Sequence, residues 1–154
     1  TGRHGLVFAG GGRRDVYVGD DKGNFFALDA DSGKKIWKVE IEGGVRSSAA
    51  VTGGMVYVGS KDGVVYALDA TSGEQRWSFA TGSWASSPAI VDGVVYVGST
   101  VGKVYAIDAA TGEQRWSFAT GNAVYSAPTV LDGVVYVGNF DGTLYAVGNP
   151  VSSR

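Results

Sequence analysis

The chain has 154 residues, of which 44% are hydrophobic, and this is enough for one domain with its own core. It contains no cysteine, which excludes disulfide bonds and thiolate metal sites. The formal net charge is −2, so no basic field is available to hold a nucleic acid, and no apolar run reaches the roughly 18 residues of a membrane span.

The first predicted element is a strand at 5–9, followed by the glycine-rich turn 10–12. We expect this strand to be the innermost strand of the first repeat, or alternatively to complete the last repeat as a ring-closing strand. His4, the only histidine, has no acid or nucleophile motif near it in the sequence. A lone histidine of this kind is weak support for catalysis.

A repeat of about 40 residues dominates the rest of the chain. The string Val-Tyr-Val-Gly occurs four times, with spacings of 40, 39 and 40 residues, and starts at Val16, Val56, Val95 and Val135. Repeats of this length built from short strands are typical of propeller blades, since a stack of blades covers both apolar faces of each sheet. We predict one module with four blades, at approximately 5–42, 45–81, 84–120 and 123–149, the last of them incomplete.

Each repeat is predicted to be a four-stranded antiparallel sheet. In the second repeat the strands are expected at 87–91, 56–60, 64–69 and 75–80, where apolar residues alternate with turn signals such as Asp92-Gly93 between them. No segment keeps a period of 3.6 residues, so almost no helix is expected. The predicted fold class is therefore an all-β propeller with about four blades per chain.

The pattern Ala-x-Asp-x-x-x-Gly-x-x-x-Trp follows in three repeats and ends at Trp37, Trp77 and Trp116. It resembles the tryptophan-docking repeat of the pyrroloquinoline-quinone (PQQ) dehydrogenase propellers. The resemblance implies that each of these tryptophans packs against the neighbouring blade. A large aromatic residue at a fixed repeat position is also what core packing alone would produce.

The same resemblance includes non-catalytic relatives, among them an outer-membrane β-barrel assembly lipoprotein and sensor domains attached to bacterial kinases. The dehydrogenases use PQQ with Ca²⁺ and an adjacent-cysteine disulfide, and this chain has no cysteine. Asp29, Asp69 and Asp108 recur at one repeat position, which predicts a role in turns. We therefore expect no catalytic, cofactor or metal site in this chain alone, and the resemblance favours a location outside the cytoplasm.

The blade count bears on assembly. Related propellers usually have eight blades, and the fourth repeat lacks the aspartate and tryptophan of the motif. Three arrangements remain open: a closed four-bladed ring, an eight-bladed ring of two chains, or part of a longer propeller. We favour the two-chain ring, because an open half-ring would expose two apolar faces.

The loops that join successive blades differ most between repeats. Each contributes a residue that occurs once at its position, namely Arg46, Trp84 and Tyr125, and the last hairpin adds Phe140. Loops of this kind meet around the central channel of a propeller, and aromatic and arginine side chains there are typical interface anchors. The alternative is that Trp84 and Tyr125 only fill the channel.

Our leading hypothesis is thus a non-enzymatic module that binds a protein or peptide on this loop face. Two alternatives stay open. One is a piece of a quinoprotein dehydrogenase, and the other is a duplicated or engineered repeat array with no ligand of its own, suggested by the near identity of the second and third repeats.

Overall fold

The structure, a computed structural model, describes the backbone strand 3–8 and all of residues 15–148. In this part of the chain the regular structure is entirely strand, arranged as four antiparallel sheets, and no helix occurs. The predicted all-β class with blade-like sheets is confirmed.

The first two sheets each have four strands. The first contains β1 (Arg3–Phe8), β2 (Asp15–Asp20), β3 (Asn24–Asp29) and β4 (Lys35–Glu40). The second contains β5 (Ala50–Thr52), β6 (Met55–Gly59), β7 (Val64–Asp69) and β8 (Gln75–Ala80).

The third sheet also has four strands, and the fourth has three among the described residues. The third contains β9 (Ala89–Val91), β10 (Val94–Ser99), β11 (Lys103–Asp108) and β12 (Gln114–Ala119). The fourth contains β13 (Thr129–Leu131), β14 (Val134–Gly138) and β15 (Leu144–Gly148). In every sheet, strands that are neighbours in the chain are neighbours in space.

One strand prediction was wrong. The segment 87–91, expected in the second sheet, provides β9 of the third, where Val91 pairs with Val94. The innermost strand of the second sheet is β5 instead. The reason is local: the two-residue hairpin Asp92-Gly93, with φ of 50° and 72°, joins β9 directly to the strand that follows it.

The N-terminal strand pairs with β2 in antiparallel register, with His4 opposite Gly19. It is therefore the innermost strand of the first sheet and does not complete the fourth. Ala9 and the glycine-rich turn 10–12 lie outside the described residues.

Apolar side chains fill the three spaces between successive sheets. Because side chains alternate along a strand, one set of side chains in each sheet points toward the preceding sheet and the other set points toward the next sheet. In the second sheet Val56 and Val58 pack against the first sheet, whereas Tyr57 and Val65 pack against the third. We call each of these packed spaces between two sheets a joint. Full burial of one such side chain stabilises a joint by about 1.5–3 kcal/mol.

The repeated tryptophans lie at these joints. Trp37 Nε1 donates to the Ala70 carbonyl and Trp77 Nε1 to the Ala109 carbonyl, each at 2.9 Å, and both acceptors belong to the next sheet. The repeated glycine of the motif makes room for the ring, since a Cβ on Gly73 would lie 2.8 Å from Trp37 Cδ2. The ring of Trp116 lies 6.0 Å from that of Tyr96 in the third sheet.

Candidate functional site

Two kinds of loop lie at the same end of all four sheets. The hairpin after each Val-Tyr-Val-Gly strand is one kind, and the loop to the next sheet is the other. Backbone hydrogen bonds tie them together: Ala85 N donates to the Ser60 carbonyl at 3.0 Å, and Thr100 N donates to the Trp84 carbonyl at 3.1 Å. Each joining loop is thus fixed to the hairpins on both sides. We call this end of the molecule the loop face.

The structure brings the four predicted contact residues into one continuous row across the loop face. The Arg46 guanidinium carbon lies 5.8 Å from the Trp84 ring centroid. The rings of Trp84 and Tyr125 are 5.8 Å apart and meet at 88°, and those of Tyr125 and Phe140 are 5.8 Å apart and meet at 65°. Edge-to-face contacts at these distances are favourable. We call these four residues the aromatic row.

The outer part of the row is open to solvent. Tyr125 is 54% exposed and Phe140 is 75% exposed, while Trp84 is half-buried. Side chains that only filled a channel would be enclosed on all sides. The half-buried Trp84 fits both interpretations, but Tyr125 and Phe140 present accessible aromatic surface.

Two cations lie at the other end of the row. The carboxylate of Asp21 accepts two hydrogen bonds from Arg46, at 2.6 Å from Nε and 3.1 Å from Nη2, and Lys61 Nζ lies 3.4 Å away. The Arg46 guanidinium is the main cause that lowers the pKa of Asp21 to about 2. Lys61 Nζ also lies 5.7 Å from the Trp84 ring centroid, so Trp84 contacts both cations.

Sequence reasoning missed Asp21 and Lys61 as members of this site. In the sequence Asp21 is one of two adjacent aspartates in a hairpin, where a role in the turn is the simplest interpretation. Asp20 indeed caps its own hairpin, because its carboxylate accepts from the backbone N of Lys22 and of Asn24 at 2.9 Å each. Lys61 could have been found, since it is the only cation at its position among the four hairpins.

The opposite end of the sheets carries the repeated aspartates. Asp69 Oδ1 accepts from Thr71 N at 2.9 Å and Ser72 N at 3.0 Å, and Asp108 does the same one repeat later. The predicted turn role is confirmed. The other oxygen of Asp69 lies 2.9 Å from Arg76 Nη2, and this guanidinium is the main cause that lowers the pKa of Asp69 to about 2.

The residues do not fit a PQQ and calcium site. The chain has no cysteine, and within 15–148 no three acidic or histidine side chains are grouped so that they could hold a metal ion. Asp69 and Asp108 are engaged in turns and in ion pairs with arginines of their own sheets.

Comparison with protein families gives a match over most of the chain. The model of the family described as outer membrane protein assembly factor BamB matches residues 1–87 and 65–149. The chain belongs to this BamB family of PQQ-like repeats. The predicted relation to PQQ-type propeller repeats is confirmed. No curated protein matches the chain significantly.

Solved structures agree with the family. BamB from Moraxella catarrhalis is 29% identical with a TM-score of 0.79, over 86% of this chain and 42% of that one. The chain thus spans less than half the length of that BamB.

Two computationally designed proteins share the fold, each at 21% identity. Ika4 has a TM-score of 0.86 over 96% of this chain and 91% of its own, and Ika8 has 0.85 over 95% and 45%. Within the described residues there is no helix with the length and apolar character needed to cross a membrane.

Proposed function

We propose that this chain is a non-enzymatic propeller module, with one blade in each of 5–42, 45–81, 84–120 and 123–149, that binds a protein or peptide through its loop face. The observation that carries the proposal is the aromatic row. Its members come from four loops of three blades, occur once each at their repeat positions, and nevertheless form one contiguous surface.

The chemistry of the row suits protein recognition. Tryptophan, tyrosine and arginine are the residues most often found as energetic anchors of interfaces, because they bury a large area at a small cost in side-chain entropy. The ion pair between Arg46 and Asp21 holds the guanidinium against Trp84 before any partner arrives. Such preorganisation lowers the cost of binding.

The loops that carry the row are held in place by the sheets. Ser86 Oγ accepts from Gly98 N at 2.9 Å, and Phe140 N donates to the Ala123 carbonyl at 2.8 Å. A partner therefore meets a surface that is already formed. This supports binding without a large rearrangement.

Selection from a phage-displayed library of short random peptides tests the proposal. Peptides enriched on the unmodified chain are expected to bind a Trp84→Ala, Tyr125→Ala double variant at least about tenfold more weakly. Leu131→Ala is the control, because Leu131 is 62% exposed but lies at the opposite end of its sheet, beside the Asp132 hairpin.

Two results would contradict the proposal. Either no peptide is enriched, or the enriched peptides bind the double variant as well as they bind the unmodified chain. Both would favour a repeat array with no ligand on this face.

We also propose that the chain associates with a second copy of itself to form a ring. Apolar side chains remain exposed at the fourth sheet, where Leu144 is 73% exposed and Tyr136 is 37% exposed. Apolar patches of this kind drive association. Light scattering at micromolar concentration is expected to give the mass of two chains.

A location outside the cytoplasm is proposed on the basis of the family alone. Fractionation of the native host, with detection of the full-length protein in each fraction, tests it. Recovery in the cytoplasmic fraction would overturn this part of the proposal.

A further inference from the structure

Positions that are buried in the first three repeats are exposed in the fourth. The tyrosine of Val-Tyr-Val-Gly is 2% exposed at Tyr17, 3% at Tyr57 and 1% at Tyr96, but 37% at Tyr136. Nine residues after the first valine of that string, Phe25, Val65 and Val104 are at most 1% exposed, whereas Leu144 is 73% exposed. The sequence therefore continues to supply joint-forming side chains on a face that no described sheet covers. We call this the last face.

The first sheet has the complementary half of a joint. Val56 and Val58 of the second sheet are fully buried against the first, but their equivalents Val16 and Val18 are only half-buried. Phe26 and Leu28 lie on this same outward side of the first sheet and are also half-buried. We call these four residues the first face.

The glycines show which contacts the last face lacks. A Cβ on Gly19 would lie 2.5 Å from Val45 Cβ, and a Cβ on Gly59 would lie 2.5 Å from the Ser86 carbonyl oxygen, so the loop of the next blade sits on each of these glycines. At Gly138, the equivalent glycine of the last face, nothing in the described part of the chain lies within 4 Å. The last face thus has the same space beside its glycine, and no residue of 15–148 fills it.

We infer that the occupant is the first face of a second copy of this chain, seated in the register of the internal joints. This inference rests on the self-association proposed above and specifies its surfaces. The internal joints supply a specific contact: the hydroxyls of Tyr17 and Tyr57 donate to the carbonyls of Ala70 and Ala109, at 3.3 and 3.2 Å. At the new joint Tyr136 would donate in the same way to the partner's Ala30.

The two faces of the joint differ from each other, so the contact is head to tail. Such a contact closes when the rotation per chain completes a circle, and otherwise it continues as a filament. Closure after two chains is supported by length, because the match covers 42% of the Moraxella BamB chain and 45% of the Ika8 chain, a little under half of each.

A single charge on the last face tests the joint. Leu144→Asp is expected to convert the two-chain species into a monomer at micromolar concentration, because the carboxylate would have to be buried without a partner. Val101→Asp is the matched control, since Val101 is 48% exposed but lies on the hairpin of the third sheet, away from both terminal faces, and it should leave the mass unchanged. Thermal melting of both monitors folding, which a substitution at so exposed a position should preserve.

A second variant reports on the first face. Val18→Lys alone should also give a monomer, and combining it with Leu144→Asp should restore at least part of the two-chain species, because the two charges would then face each other across the joint. Restoration is specific to a head-to-tail contact between these two faces.

The outcomes separate the inference from the proposal of self-association. A wild-type monomer overturns both, and would mean that the last face is covered by another segment or by a different protein. A wild-type dimer that survives both Leu144→Asp and Val18→Lys leaves self-association standing and overturns the joint. A mass well above two chains contradicts ring closure.

Discussion

The two ends of the sheets use the same kinds of residue for different purposes. At the end opposite the loop face, the ion pairs recur and stay within one sheet, as in Asp69 with Arg76 and Asp108 with Arg115. On the loop face the ion pair of Asp21 with Arg46 occurs once, and it leads into aromatic contacts that cross from blade to blade. Residues that repeat hold each blade together, and residues that do not repeat build a surface shared by all of them.

The largest expected effect comes from making the same substitution, tryptophan to alanine, at a repeated and at a non-repeated position. Trp37→Ala should lower the free energy of unfolding by about 3–5 kcal/mol, because it empties a joint and leaves the Ala70 carbonyl with only the longer hydrogen bond from the Tyr17 hydroxyl. Trp84→Ala should lower it by about 1 kcal/mol or less, since this half-buried ring serves the surface. Urea unfolding measures both, and equal losses would contradict the distinction.

A pair of glycines sharpens the role of the repeated tryptophan. Gly33 and Gly73 both have positive φ, 68° and 75°, but only the Cβ of Gly73→Ala would meet the Trp37 ring. Gly33→Ala should cost about 1 kcal/mol from backbone strain alone. Gly73→Ala should cost about 2–4 kcal/mol, because overpacking is added to that strain. If urea unfolding gave the same loss of stability for both variants, the motif glycine would be required for its backbone conformation only, and not to make room for the tryptophan ring.

A pair of tyrosines separates internal joints from the last face. Tyr57→Phe should cost about 1 kcal/mol, because the buried hydroxyl donates to the Ala109 carbonyl in the next sheet. Tyr136→Phe should leave the stability of the separated chain unchanged, and should weaken self-association if the proposed joint exists. Denaturation of a monomeric Leu144→Asp background gives the first comparison, and sedimentation of the otherwise unmodified chain gives the second.

The features that recur in every repeat could be predicted from the sequence. Four Val-Tyr-Val-Gly strings were enough for the sheets, and the recurrence of Asp69 and Asp108 was enough for their turn role. The strand at 87–91 was assigned to the wrong sheet, because pairing depends on the Asp92-Gly93 hairpin and not on the order of motifs within a repeat.

The aromatic row was predicted only as separate residues on one face. Its continuity depends on side-chain distances between loops about 40 residues apart in the chain, which no local pattern encodes. Asp21 was missed for the same reason, since it contacts Arg46 only after the blades are stacked, whereas Lys61 stands out in the sequence as the only cation at its hairpin position.

The smallest expected effect concerns pH and distinguishes the two ends again. Asp21 and Asp69 both have a pKa lowered to about 2, mainly by Arg46 and Arg76 respectively. A carboxyl whose folded pKa is lowered contributes stability that is fully present above the unfolded pKa of about 3.8 and is lost as pH falls toward the folded value. The contribution of these two groups to the free energy of unfolding should therefore be constant between pH 8 and about pH 5. It should decline only below about pH 4.

The two carboxylates can be followed separately. Side-chain carboxyl resonances in an NMR titration should show both groups titrating near pH 2 in the unmodified chain. Arg46→Gln should return Asp21 toward its ordinary pKa and leave Asp69 unchanged, because the ion pairs lie at opposite ends of the sheets. Arg76→Gln should do the reverse. A titration in which either substitution moved both groups would mean that the loop face and the turn end are coupled through the blades, contrary to the separation argued above.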